Sequence, residues 1–256
     1  MTDFWDELRH TTQARIGLGR AGDALPTRRV LEFRAAHAAA RDAVHKPLDV
    51  DEFAARIAAA GLGAPVWVRS RAADRSEYLR RPDLGRLPEI SAGEGFSELA
   101  DTGADIGFVL ADGLSPRALF DHGAPMLTAL KDELGQEFRL APPVIATQAR
   151  VALGDHIGEA LGVTTVLVLI GERPGLSVAD SLGIYLTHRP RPGRADSERN
   201  CVSNIHPPEG LGYPAAAKVA AGLIAGARRL GRSGVDLKDT SDRLELSQAR
   251  VLEQDG

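Results

Sequence analysis

Residues 165–176, TVLVLIGERPGL, are the stretch of sequence that decides the fold. The five residues after Thr165 are all apolar, with no alternation of polar and apolar positions. A short apolar run of this kind is typical of a strand that is buried on both faces of a sheet. The charged and glycine-containing segment that follows indicates that a strand over residues 165–170 ends at a loop.

Similar apolar runs occur at Ile106–Ala111 (IGFVLA) and Val144–Thr147 (VIAT). Residues 65–68 and 182–187 are further strand candidates. Helical patterns alternate with these runs and are listed together: Pro116–Leu134, residues 155–161 and residues 214–230. Buried strands that alternate with helices predict a Rossmann-like, mostly parallel α/β domain.

The first part of the chain contains helix-forming runs instead of apolar strand patterns. Thr27 precedes the helix-forming run RRVLEFRAAHAAARDAVH, which ends before Pro47, and DEFAARIAAAG ends with Gly61 at a position favoured for a helix cap. We therefore predict a small helical N-terminal domain at residues 1–62 and the α/β domain at residues 63–256. The polar C-terminal end is expected to form a peripheral helix or a loose tail.

Composition excludes several classes of protein. Of the 256 residues, 43% are hydrophobic and 26% are charged, as in ordinary globular proteins, and the net charge of −4 argues against nucleic-acid binding. The single cysteine, Cys201, cannot form an intrachain disulfide, which fits a reducing compartment. No apolar run reaches the roughly 20 residues needed to span a bilayer, and the N-terminus lacks the apolar core of a signal peptide. A cytoplasmic location is expected.

Residues 17–22, GLGRAG, match the G-x-G-x-x-G pattern of dinucleotide-binding sites. That pattern requires a buried strand before the glycines and a helix directly after them. The preceding residues, WDELRHTTQARI, do not form such a strand, and Pro26 interrupts the passage to the next helix. A glycine-rich loop is the favoured interpretation, and a nicotinamide-dependent oxidoreductase is the alternative.

Two segments lie where open α/β sheets bind ligands, beyond the carboxyl ends of strands. Residues 171–176 (GERPGL) place a charged pair between two glycines, which favours a functional role over a simple turn. Residues 148–151 (QARV) follow VIAT, and Val151 could offer backbone polar groups or an apolar wall.

Three other polar segments have competing interpretations. In residues 112–116 (DGLSP), Ser115 fits an N-cap, and a helix start is the favoured interpretation. Residues 197–206 (SERNCVSNIH) contain Cys201, for which a packing or cofactor-contact role is favoured over a catalytic thiolate. Residues 69–86 carry six arginines against three acids. They form either a solvated face or a partner interface that includes Tyr78.

These segments together resemble the light chains of ethanolamine ammonia-lyase. The resemblance runs through TQARIGLGRAGDALPT, EYLRRPDLGR, ARVALGDHIGEALG, LIGERPGLSVADSLGIYLTHRPRPG and ERNCVSNIHPPEGLGYPAAA. These stretches follow one another in consistent order over most of residues 10–235. GERPGL followed by CVSNIH is far more specific than the glycine pattern.

The resemblance implies a function. Ethanolamine ammonia-lyase uses adenosylcobalamin to convert ethanolamine into acetaldehyde and ammonia by a radical mechanism. Its large subunit, a TIM-type barrel, holds the substrate, and the light chain binds the cofactor at the interface between the two subunits of a hetero-oligomer. The family's cobalamin-binding positions fall on Val151, Glu172 and Cys201. No catalytic acid, base or nucleophile and no metal ligand is expected in this chain.

The chemistry of cobalamin suits these positions. Glu172 can accept hydrogen bonds from amides on the corrin rim, whereas Val151 and Cys201 suit close, mostly apolar contact. Polar contacts from Asn200, Ser203 and Asn204 are a further expectation. None of the seven histidines lies in the D-x-H-x-x-G pattern that supplies a protein ligand to cobalt. The cofactor is therefore expected to bind base-on, with its own dimethylbenzimidazole on cobalt.

Two alternatives stay open. Family members with a longer N-terminal extension are directed into a bacterial microcompartment. The family-like segment here begins about ten residues from the N-terminus. The cytoplasm is therefore the first expectation for the location, and a microcompartment is the second. A non-catalytic scaffold with a decayed cofactor pocket is a further alternative to the lyase subunit.

Overall fold

The computed structural model describes residues 4–89 and 96–239. Most of the predicted C-terminal tail lies outside the described residues. Seven α-helices are present in the described part of the chain: α1 Phe4–Arg9, α2 Thr27–His45, α3 Val50–Ala58, α4 Arg75–Arg80, α5 Pro116–Leu134, α6 Leu153–Ala160 and α7 Tyr213–Leu230. None of the helices described is both long enough and apolar enough to cross a bilayer.

The described residues contain one six-stranded sheet. Its strands are β1 Val66–Arg69, β2 Ile106–Ala111, β3 Val144–Thr147, β4 Thr165–Gly171, β5 Leu182–His188 and β6 Asn200–Ile205. They lie in the order β1-β3-β2-β4-β5-β6. The first four are mutually parallel, and β5 and β6 are antiparallel to their neighbours. The predicted α/β class with a mostly parallel sheet is confirmed, and the sheet is mixed.

The central strands are buried on both faces, as the apolar runs predicted. Every residue of β2, β3 and β4 is buried. Successive side chains of a strand point to opposite faces, so Phe108 and Leu110 join the core beneath α5 and α7, whereas Val109 and Ala111 join the core beneath α6. The sheet therefore separates two apolar cores.

Strand β6 was missed by the sequence interpretation, which treated residues 197–206 as a polar run. Only Val202 and Ile205 of this strand are buried. β6 lies at the edge of the sheet and pairs with β5 alone. Such a strand needs few apolar residues, so the apolar-run signal that revealed β2 and β4 is missing here.

The N-terminal helices differ in how they pack. Phe53 and Ile57 of α3 are fully buried and belong to the same core as α5 and α7. By contrast, α2 buries only Ala43 along its whole length. The division of the chain into domains at residues 62 and 63 stays a prediction.

A buried ion pair fixes α6 to the start of β6. The Arg199 guanidinium donates to both carboxylate oxygens of Asp155, at 2.6 and 2.7 Å, and to the Thr187 hydroxyl at 2.9 Å. Both charged side chains are almost inaccessible, with 1% and 2% exposure. Because neither charge is exposed to water, each depends on the other as its buried counter-ion.

Replacing Asp155 with Ala should therefore destabilise the protein strongly. The substitution leaves the Arg199 charge buried without its partner, and we expect the free energy of unfolding to fall by about 3–5 kcal/mol. Urea denaturation measures this change. The exposed pair Arg81–Asp83 provides the control, because Asp83→Ala should cost less than about 1 kcal/mol. Equal small losses in the two variants would contradict this account.

Candidate functional site

A pocket with a volume of about 270 Å³ opens beyond the carboxyl ends of β3 and β4. It is lined by Tyr78, Leu114, Arg150, Val151, Ile170, Gly171, Glu172, Arg173 and Tyr185. This is the edge of the sheet where ligands of open α/β folds bind. Two residues predicted from the resemblance, Val151 and Glu172, line this one pocket.

Glycines allow the loops after β2 and β4 to touch. The Leu114 N–H donates to the Gly171 carbonyl at 2.9 Å. A Cβ atom on Gly171 would lie 2.0 Å from the Ser115 carbonyl oxygen, and Gly113 adopts a φ of +56°. No larger residue fits at Gly171. Ser115 caps α5 as predicted, since its Oγ accepts the Ala118 N–H.

Asp112 fixes the loop that carries Val151. Its carboxylate is buried and accepts the backbone N–H groups of Gln148 and Ala149 at 2.9 and 3.0 Å. The Arg75 guanidinium lies 3.7 Å away and supplies an opposite charge. Burial raises the pKa of Asp112, and Arg75 and the backbone hydrogen bonds oppose that shift without cancelling it.

Tyr78 forms the buried floor of the pocket. Its side chain is fully buried, and its hydroxyl donates to the Ala149 carbonyl at 3.1 Å. The guanidinium groups of Arg75 and Arg150 lie over its ring, 4.8 and 4.3 Å from the centroid. The interpretation of Tyr78 as part of a partner-contact surface is therefore wrong, because α4 turns this ring inward.

Glu172 is held by one of its two carboxylate oxygens. Oε2 accepts the Ser181 hydroxyl at 2.6 Å and the Asn204 N–H at 3.3 Å. Within the described residues both hydrogen bonds go to Oε2, so Oε1 retains its capacity to accept. A Cβ atom on Gly183 would lie 2.8 Å from Oε1, so a larger residue at this position of β5 would displace the carboxylate.

Cys201 lies next to this pocket. It pairs with the pocket residue Tyr185 across β5 and β6, and its thiol hydrogen-bonds to the Tyr185 side chain. The residue as a whole is exposed. Neighbouring atoms nevertheless desolvate the thiol and raise its pKa, and the charge of Glu172 adds to this shift, whereas the hydrogen bond from Tyr185 opposes it.

The three additional polar candidates, Asn200, Ser203 and Asn204, have different environments in the structure. The Asn200 amide donates to the carbonyls of Gly234 and Leu237, which follow α7, so this side chain is used within the fold. Asn204 contacts Glu172 through its backbone N–H, and its Oδ1 lies 2.8 Å from Nε2 of His206. Ser203 is exposed on β6.

Sequence reasoning missed four residues of the site: Tyr78, Arg150, Ser181 and Tyr185. Arg150 lies within the segment 148–151 that was singled out, but no role was assigned to it. Ser181 directly precedes the predicted strand at residues 182–187, and that position was the available signal. Tyr78 comes from α4 and reaches Ala149, 71 positions later in the chain. No local pattern indicates such a contact.

The early glycine motif has a different geometry from a dinucleotide site. It follows helix α1 rather than a strand, and a bridge between Ala21 and Ala24 separates it from α2. Gly17 packs against Trp5, since a Cβ atom there would lie 2.4 Å from the indole ring. This segment is a glycine-rich loop, as favoured from the sequence. The described ranges also contain no group of three or more His, Cys, Asp or Glu residues arranged to hold a metal ion.

Comparisons with known proteins identify the family. The ethanolamine ammonia-lyase light chain (EutC) family model matches residues 2–238. The ethanolamine ammonia-lyase small subunit of Rhodococcus erythropolis is 65% identical over 254 residues, which cover 99% of this chain and 96% of that protein. The corresponding small subunit of Ralstonia nicotianae is 47% identical, with 93% and 89% covered, and that of Bradyrhizobium diazoefficiens is 48% identical, with 92% and 90% covered.

The match extends over both the N-terminal helices and the sheet, including the loops that form the pocket. It confirms the resemblance seen in GERPGL and CVSNIH. The chain belongs to the ethanolamine ammonia-lyase light-chain family.

Proposed function

We propose that this chain binds adenosylcobalamin base-on through Val151, Glu172 and Cys201, in a hetero-oligomer with the large subunit of ethanolamine ammonia-lyase. When bound, the cofactor supplies the radical chemistry that converts ethanolamine into acetaldehyde and ammonia. The observation that carries the proposal is that these three residues, which are distant in sequence, lie close together in the fold. Residues from three separate segments border one pocket at the ligand-binding edge of the sheet.

The chemistry of the lining suits part of a corrinoid. The free Oε1 of Glu172 can accept from a rim amide, and a hydrogen bond to a charged acceptor contributes about 1.5–3 kcal/mol. Val151 is half-buried and offers apolar contact. In addition, Nε of Arg150 is buried without a hydrogen-bond partner in the described residues. An incomplete polar lining of this kind supports a ligand site.

The size of the pocket supports a site shared with another subunit. Its volume of about 270 Å³ lies below the roughly 300–1,000 Å³ of sites that enclose drug-sized ligands. A corrinoid is much larger than a drug, so this chain can enclose only part of it. The remainder would lie against the partner, where we place the residues that act on substrate.

The role of this chain is binding and orientation. The raised pKa of Cys201 keeps its thiol protonated near neutral pH, whereas a nucleophilic cysteine requires the thiolate. The pocket-lining residues, all within the described ranges, do not include a histidine. The proposal that the cofactor keeps its own dimethylbenzimidazole on cobalt rests on the sequence, in which none of the seven histidines lies in a D-x-H-x-x-G pattern.

We place part of the large-subunit interface on the N-terminal helices, in a cytoplasmic assembly. Phe4, Leu31 and Phe33 are 64%, 58% and 44% exposed. A helix such as α2, which buries only Ala43 and exposes apolar side chains on more than one side, is typical of an element that packs against a partner. This surface is separate from the cofactor pocket, and it can be tested independently.

Glu172→Gln should weaken cofactor binding. The substitution keeps the shape of the side chain and removes the charge that strengthens its hydrogen bonds. A hydrogen bond to a charged group contributes about 1.5–3 kcal/mol, so we expect the Kd for adenosylcobalamin to rise about 10- to 100-fold. Absorbance titration of the reconstituted complex measures it. Glu137→Gln, at an exposed site, is the control. Unchanged affinity and activity in Glu172→Gln would remove this residue from the site and favour the scaffold alternative.

Bound cobalamin should protect Cys201 from alkylation. In the complex without cofactor, the raised pKa of the Cys201 thiol predicts a slow reaction with iodoacetamide at pH 8. The alkylation rate should continue to rise above pH 9.0, which is the ordinary pKa of a cysteine thiol. Addition of adenosylcobalamin should lower the rate throughout this range. Mass spectrometry of the peptide that contains Cys201 gives the rate, and identical rates with and without cofactor would count against the contact.

Leu31→Asp should weaken association with the large subunit without unfolding the chain. A charge in the centre of an apolar contact costs more than about 1–2 kcal/mol, which corresponds to roughly tenfold or greater loss of affinity. Co-purification of tagged subunits and a thermal melt measure association and stability separately. Leu230→Asp, at an exposed leucine on α7, is the control. Equal recovery of both variants would move the interface away from α2.

A further inference from the structure

Arg150 is an unpaired cation in the pocket wall. Its Nε atom is buried without a hydrogen-bond partner, and among the described residues Arg150 makes no ion pair. The nearby Arg75 differs, because Asp112 lies 3.7 Å from its guanidinium. The family resemblance did not assign Arg150 to the cofactor site.

The fold holds this guanidinium in one orientation. It stacks over the Tyr78 ring at 4.3 Å, and its Nη2 lies at 3.5 Å from the Tyr78 carbonyl, at the limit of a hydrogen bond. The backbone N–H of Arg150 donates to the Gly85 carbonyl at 2.8 Å. The side chain packs closely on the same glycine, since a Cβ atom on Gly85 would lie 3.0 Å from the Arg150 Cγ. A fixed donor without an acceptor is costly unless a ligand supplies that acceptor.

Charge and size indicate the kind of acceptor. Arg150 and Arg173 outnumber Glu172 in the lining, and the pocket of about 270 Å³ has room for one peripheral group. The rim of cobalamin carries neutral amides, whereas its nucleotide loop contains one phosphodiester, the anionic group of the periphery. Arginine pairs with phosphate oxygens in a planar, bidentate geometry that an amide oxygen cannot match.

We propose that Arg150 binds the phosphodiester of the cobalamin nucleotide loop, with Arg173 as a weaker second cation; this inference rests on the proposed cofactor-binding function. Phosphate oxygens would supply the counter-ion and acceptor that the Arg150 guanidinium lacks. The nucleotide side of the cofactor would then face this chain, and Arg150 becomes a specificity-determining residue for complete cobalamins over truncated corrinoids.

The test uses three corrinoids and the complex with the large subunit. Adenosylcobalamin carries the phosphodiester, adenosylcobinamide phosphate carries a phosphate without the base, and adenosylcobinamide carries neither. Each is titrated by visible absorbance into the wild type and into Arg150→Met and Arg150→Lys. Arg80→Met, at an exposed arginine of α4 outside the pocket, is the matched control. Thermal melts verify that each variant is folded.

Arg150→Met should weaken binding of the two phosphate-bearing corrinoids by about 10- to 100-fold and leave adenosylcobinamide binding within about twofold. Arg150→Lys should recover part of the loss, because it keeps the charge without the planar fork. Equal losses for all three corrinoids would assign Arg150 to the corrin rim and overturn the inference, as would no loss for any of them. If wild type fails to bind adenosylcobalamin, the proposed function itself is wrong.

Discussion

The buried carboxylate of Asp112 is the interaction on which the rest of the site depends. It lies at the end of β2 and accepts two backbone N–H groups from the loop after β3. That loop carries Arg150 and Val151, and these two hydrogen bonds help to fix their position in the pocket. The loop is also held by the Tyr78 hydroxyl, which donates to the Ala149 carbonyl. A carboxylate is costly to bury, and Arg75 offsets part of that cost by supplying a positive charge 3.7 Å away.

The same region combines rigid backbone with protonated, weakly reactive side chains. Gly113 and Gly171 bring two loops into contact, and no side chain fits between them. Burial raises the pKa of Tyr185 to about 12, and the thiol pKa of Cys201 is also raised. Both groups therefore stay neutral near pH 7 and can donate hydrogen bonds. Neutral donors of this kind suit the role that we propose for this chain, which is to bind and orient a ligand.

Much of the fold could be predicted from the sequence because the central strands are buried on both faces. Their apolar runs gave the bounds of β2 and β3 as the structure has them, and the Ser-Pro sequence gave the start of α5. The edge strand β6 was missed because it buries only Val202 and Ile205. The antiparallel direction of β5 could not be predicted either, since an apolar run carries no information on direction.

The lining of the pocket was predictable where it lies at strand ends and unpredictable where distant segments meet. Glu172 follows β4 directly, so the rule for open α/β sheets pointed to it. Cys201 came from the family resemblance, because a lone cysteine in a polar run has no local signature. Tyr78 and Arg150 become neighbours only when α4 folds onto the loop after β3. Contacts of that kind depend on tertiary structure alone.

The most direct test of the central claim is a cryo-electron microscopy map of the complex with the large subunit, loaded with adenosylcobalamin. We predict corrinoid density in contact with Val151 and Glu172 at the edge of the sheet beyond β3 and β4, next to Cys201. Density held entirely by the large subunit, with this edge occupied by solvent or by protein side chains, would contradict the account.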